Sequence, residues 1–161
     1  RSAGLDSGNI WIMPNGDIDD LHNEMMKYEI ASGEYFSGLF ISCTTLKDPS
    51  SFDGKNHVLE VVTFIDSEAF SKFKDEDKIR SKEYMNFKSQ LENKMINSLN
   101  RAIPGIKKHI VHKKLGTPIT NEHYINSTNG SVYGTEKSFN QIGPNSFKPE
   151  SEIKNLYLPV V

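Results

Sequence analysis

Histidines are the side chains here best equipped for metal or acid–base chemistry, and the chain has five of them. His109 and His112 lie three apart in a segment that reads as a strand, where side chains alternate, so the two rings are expected on opposite faces. His123 adjoins Glu122, but neighbours in a strand or turn rarely share a ligand site, and no second carboxylate stands at helical spacing. No metal site is expected. Cys43 is the only cysteine, set in Leu39-Phe40-Ile41-Ser42-Cys43 with no basic neighbour. It reads as a small buried hydrophobe rather than a reactive thiol. A lone cysteine excludes an internal disulfide and fits a reducing compartment.

The other chemically suggestive stretch runs from Gly116 to Gly134. Glycines at 116, 130 and 134 alternate there with Tyr124 and Tyr133. Two readings stand side by side. The glycines permit positive φ in turns and the tyrosines are core aromatics, or the glycines let backbone and rings close on a flat ligand. Asn126-Ser127-Thr128 and Asn129-Gly130-Ser131 match the glycosylation pattern, but no secretory signal precedes them, so unmodified loop asparagines are expected. Lys107, Lys108, Lys113 and Lys114 read as a solvated strand edge, with an acidic partner or a phosphate as the alternative.

The elements that must position these residues follow from periodicity. Ile10-Trp11-Ile12 is a short strand, broken by Pro14-Asn15-Gly16. Asp17 opens a helix with Asp19 and Asp20 in its first turn, and Ile18, Leu21, Met25 and Tyr28 form its apolar stripe. The Met25-Met26 pair reads as core filling. Tyr35 to Thr45 predicts a second strand, and Lys47 to Asn56 a loop. His57 to Ile65 is apolar with little alternation, which predicts a central strand covered on both faces. A short helix over Ser67 to Phe73 precedes a long one over Ser81 to Ile103, striped by Tyr84, Phe87, Leu91, Met95, Leu99 and Ala102 and closed by Pro104-Gly105. Ile106 to Leu115 predicts an edge strand.

That order is α+β. It matches an antiparallel sheet in a βαββαβ, ferredoxin-like arrangement with the helices on one face. A domain over 1–115 is expected, followed by a loop-rich segment over 116–161 that ends in a strand from Ile153. A hydrophobic share of 36 % and a charged share of 25 % suit a globular domain. A net charge of −2 gives no general pull toward nucleic acid. No apolar run is long enough to span a bilayer. The chain opens on Arg1 and stops within an uncapped apolar segment, so both ends are expected to be cuts in a longer protein.

Gly116-Thr117-Pro118-Ile119-Thr120-Asn121-Glu122-His123-Tyr124, with Gly130-Ser131-Val132-Tyr133-Gly134, resembles the late segment of the carotenoid isomerase, phytoene desaturase and retinol saturase family. Thr45-Leu46-Lys47-Asp48-Pro49 and Leu59-Glu60-Val61-Val62-Thr63-Phe64 are similar to earlier segments of it. The resemblance implies an FAD-dependent oxidoreductase acting on apolar, polyene-like substrates by desaturation, saturation or isomerisation. It implies that this chain is the substrate-side part, with FAD held by a missing dinucleotide-binding half. No Gly-x-Gly-x-x-Gly occurs here, and Leu158-Pro159-Val160-Val161 departs from the glycine-containing flavin contact of the family, so no FAD is expected on this part alone. Thr117, Tyr124, Gly130, Tyr133 and Gly134 are then the candidates for lining the substrate or flavin cavity. The implied partners are the missing half and an apolar small molecule, with self-association through an exposed apolar face and a cytoplasmic or membrane-peripheral location. The competing class is a non-catalytic ferredoxin-like binding or dimerisation module.

Overall fold

Alternation at the level of single residues decides the sheet. A computed structural model describes residues 5–13, 17–25, 30–75, 81–133 and 138–157. Three strands, β1 (Ile10–Ile12), β2 (Leu39–Cys43) and β3 (Leu59–Val62), form an antiparallel meander in that order. The register pairs Ile10 with Ile41, Trp11 with Phe40, Phe40 with Val62, and Ile41 with Val61. One face therefore collects Ile10, Ile12, Leu39, Ile41, Leu59 and Val61, and the other collects Trp11, Phe40 and Val62.

The inner face is covered by helix α3 (Lys82–Ala102). Leu39, Ile41, Leu99 and Ile103 form a buried cluster, flanked by Met95, Ala102 and Ile106. The helix starts where Ser81 accepts a hydrogen bond from the Tyr84 amide at 3.1 Å, as an N-cap should. It ends at Pro104-Gly105, where Gly105 takes φ 87°. Its amino-terminal half packs on the 3-10 segment Ser67–Phe73. There Phe70 and Phe73, fully buried, meet Phe87 and Tyr84 at ring centroid distances of 5.3–5.4 Å. Two cores thus share one helix face, aliphatic over the sheet and aromatic beyond it.

Helix α1 (Ile18–Met25) opens as anticipated: the Asp17 carboxylate accepts from the amides of Asp19 and Asp20 at 2.9 and 3.2 Å. Ile18, at the head of the expected stripe, is exposed. Tyr28, Met26, the Pro14-Asn15-Gly16 break and the carboxy-terminal 158–161 lie outside the described residues. Thr44–Lys47 is a single helical turn, α2, where the second strand was expected to continue.

Two strand expectations need correction. Among the described residues β3 lies at the edge of the sheet with alternating exposure, where a central strand covered on both faces was expected. Val58, Val62 and Phe64 stand in solvent on its outer side. The near-continuous apolar run is two faces of unlike fate, and composition alone does not say which face has a partner. Ile106–His109 is a 3-10 turn followed by extended chain without a ladder. Four lysines and two histidines between Ile106 and Leu115 favour hydration over pairing. Among the described residues the sheet therefore has three strands, without the fourth, edge strand that the ferredoxin-like arrangement calls for.

The chain divides into two compact units, Arg1–Gly116 and Thr117–Val161. The second unit is built on α4 (Pro118–Ile125), followed by the 3-10 turns Thr128–Gly130, Phe139–Gln141 and Gly143–Asn145. Where a terminal strand was expected, residues 151–155 turn, and Glu150 and Tyr157 form an isolated bridge. No helix among the described residues is long and apolar enough to cross a membrane.

Candidate functional site

Two of the sequence-selected residues of the second unit, Thr117 and Gly130, meet at the start of α4. Thr117 is its N-cap, and Thr117 and Thr120 form a reciprocal capping box: each hydroxyl accepts from the other residue's amide, at 3.3 and 3.1 Å. Pro118 fills the first helical position, where its missing N–H costs nothing. Thr117 is buried. Its hydroxyl also lies 3.1 Å from that of Thr120.

Gly130 closes against this helix start. A Cβ there would lie 2.3 Å from Pro118 Cα and 2.4 Å from its carbonyl oxygen, and its φ of 70° lies in the left-handed region that favours glycine. The Asn121 side-chain amide donates to the Gly130 carbonyl at 3.0 Å, completing the join. The close approach that glycine permits is therefore used by the chain's own backbone. The two tyrosines lie differently. Tyr124 packs edge-on to His123 with centroids 4.8 Å apart and remains 74 % exposed, and Tyr133 is 69 % exposed. Gly134 falls outside the described residues. Thr117 and Gly130 are thus brought together by Pro118, and the tyrosine rings stand in solvent. Among the described residues this arrangement holds no cradle for a flavin: its one tight glycine is filled by Pro118, and its buried hydroxyl is engaged by Thr120.

The first unit carries features that residue types alone did not disclose. Across the outer sheet face, Trp11 and Phe40 meet with ring centroids 4.7 Å apart, and Val62 continues the row. Met13, Val58 and Phe64 share the same strand parity. Trp11 is 60 % exposed and Phe64 50 %, so this side presents large apolar side chains to solvent, with the exposed Glu60, paired to Ser42, in the same row. Strand parity was the usable signal, once the register was known.

Behind the sheet, α3 fastens the segment before β2. Ser98 Oγ accepts from the Phe36 amide at 2.8 Å and donates to the Lys94 carbonyl at 2.9 Å. One turn earlier, Lys94 donates to the carbonyls of Ile30, at 2.9 Å, and of Ser32, with its ammonium 4.7 Å from the centre of the Phe36 ring. Partial burial lowers the Lys94 pKa below its ordinary value. Near the sheet end, Thr45 Oγ1 binds His57 Nδ1 at 2.9 Å and accepts from the Val58 amide at 3.1 Å, while the His57 ring stacks on Phe52. Cys43 is buried, with its sulfur 3.7 Å from Thr45 Oγ1. His57 is thus a loop anchor. His109 and His112 lie in the turn and the extended chain after α3. No group of three or more metal-ligating side chains occurs among the described residues.

Comparison with known proteins gives a consistent group of relatives. An all-trans-retinol 13,14-reductase of Danio rerio is 31 % identical over 169 residues, covering 98 % of this chain and 27 % of that protein. The all-trans-retinol 13,14-reductase of Homo sapiens is 25 % identical over 164 residues, covering 96 % and 26 %. A chloroplastic prolycopene isomerase of Daucus carota is 27 % identical over 117 residues, covering 71 % and 18 %. The chain spans about a quarter of the length of the reductases it matches. No family model and no solved structure matches it.

Proposed function

Since this chain belongs to the retinol saturase and carotenoid isomerase family, we propose that it is the substrate-side part of an FAD-dependent oxidoreductase acting on retinoid or carotenoid polyenes. The reaction is a saturation, desaturation or isomerisation. The observation that carries this reading is the open outer face of the sheet, Trp11, Phe40 and Val62, with Met13, Val58 and Phe64 of the same parity. A rigid apolar surface on strands can wall a cavity for a polyene without any nucleophile of its own. The flavin supplies the electron chemistry, and the protein binds, orients and excludes water. In this reading FAD is held by the remainder of the longer protein, which also covers that face.

The same face supports one competing reading, a non-catalytic module that pairs with a second copy of itself. The full-length protein separates them. Purification with bound flavin, and consumption of retinol or a carotenoid when electrons are supplied, supports the enzyme. A full-length protein that binds no flavin and dimerises through Trp11 supports the module.

A further inference from the structure

We propose that the segment from Ile106 to Leu115 is a docking surface for an anionic phospholipid membrane. Charge is segregated along this chain in a way that the net value of −2 conceals. Between Glu92 and Glu122 there is no acidic residue, while Lys94, Arg101, Lys107, Lys108, Lys113 and Lys114 contribute six positive charges. The remainder of the chain therefore carries −2 − 6 = −8. Four of those six cations lie in one stretch of exposed chain after α3, interleaved with His109 and His112.

Most of this charge is uncompensated. Lys113 pairs with Glu92 at 2.8 Å. Lys107 donates to the Asn97 side-chain carbonyl, a neutral partner, and Lys108 and Lys114 pair with no carboxylate among the described residues. In the middle of these cations Val111 is 80 % exposed, the most exposed large aliphatic side chain among the described residues of the first unit. Beside it lies a groove of about 590 Å³ between α3 and the extended chain. Ile96, Ile110 and Val111 give it apolar walls, and Lys107, Lys113 and the Asn93 amide give it a polar rim.

Exposed lysines on both sides of an exposed aliphatic residue match a surface whose charged headgroups overlie hydrocarbon. Nucleic acid fits less well. No Phe, Tyr or Trp lies between Glu92 and Glu122 on which a base could stack. An acidic protein would satisfy the lysines but gives Val111 no particular role.

The test is co-sedimentation of the whole chain with phosphatidylcholine vesicles, with and without phosphatidylserine. Binding is expected only with phosphatidylserine, falling as salt is raised and unaffected by inorganic phosphate at the same ionic strength. The pair Lys108→Gln and Lys114→Gln should weaken it about twenty-five-fold, roughly fivefold for each charge removed. Val111→Ser should weaken it further. Equal binding to neutral vesicles, binding unchanged in the double lysine variant, or no vesicle binding at all would overturn the proposal. So would duplex DNA or an acidic polypeptide displacing the vesicles at equal charge. The outcome is independent of whether the full-length protein carries flavin.

Discussion

Gly130 and Pro118 are in backbone contact so close that no side chain fits between them, with 2.3 Å separating a Cβ built on the glycine from the proline Cα. The glycine also holds a left-handed φ of 70°. Gly130→Ala therefore meets two penalties, about 1–2 kcal/mol for the left-handed conformation and about 1–3 kcal/mol for overlap with backbone that cannot step aside. The expected result is loss of amide exchange protection in Pro118–Ile125 with little change in Lys82–Ala102. Equal protection in the variant would mean that the contact is not built as described.

The Trp11–Phe40 row makes a different prediction. Trp11 is more exposed than buried, so Trp11→Ser should change unfolding free energy by no more than roughly 0.5 kcal/mol, as surface substitutions do. It should nevertheless reduce association of the chain at high concentration, because the removed ring is the largest part of the apolar face. Sedimentation velocity and urea unfolding of the same variant check both halves. A large loss of stability would mean that the ring packs against more than Phe40.

Helix α3 was legible because one signal, a stripe at three- and four-residue spacing, coincided with a start at Ser81 and a stop at Pro104-Gly105. β1 and the core part of β2 were legible for a similar reason, since β-branched and aromatic residues cluster there. The extended chain after Ile106 was not. Its Ile and Val among Lys and His were read as an edge strand, but a strand also needs a neighbour, and neighbours are set by the whole fold. Pro118–Ile125 was hidden by its flanking glycines, although Thr117-Pro118 with Thr120 is a helix-start pattern. At the candidate site, Thr117 and Gly130 were singled out as cavity lining, and the structure shows them as the N-cap of α4 and the residue packed against its start. Their spatial partner, Pro118, was not singled out, because a contact between residues twelve apart leaves no periodic trace.

Ser98 joins two elements by one oxygen, accepting from Phe36 N and donating to Lys94 O. Ser98→Ala leaves the Phe36 amide without this partner in a partly buried position. The expected loss is about 1–3 kcal/mol, the desolvation penalty of an unsatisfied amide. Urea unfolding should show a lower midpoint with an unchanged slope. Ser98→Thr, which retains the hydroxyl, should recover part of it, whereas no recovery would point to packing as the cause.

Phe70 has no exposed surface and lies edge-on to Phe87. It also sits on a 3-10 segment that Asp66 caps through the Glu68 amide. Phe70→Ala should cost about 3–5 kcal/mol, the range for emptying an aromatic site in a packed core. Thermal unfolding monitored by far-ultraviolet circular dichroism would show the loss, and Phe70→Leu should give a smaller one because it fills more of the cavity.

Asp53 organises the turn before β3 by accepting from the amides of Lys55 and Asn56 at 2.8 and 2.6 Å. Those two amides, led by that of Asn56, hold its pKa below the ordinary carboxylate value of 3.8. A carboxylate whose folded pKa is depressed binds fewer protons folded than unfolded over the interval between the two values. Its contribution to the turn is therefore fully present above pH 3.8 and is lost as pH falls through the lower, folded value. The amide proton resonances of Lys55 and Asn56 should shift together in that acid window. In Asp53→Ala the two resonances should show no such step. A step of equal size in the variant would assign the titration to another group and remove Asp53 from the turn's acid response.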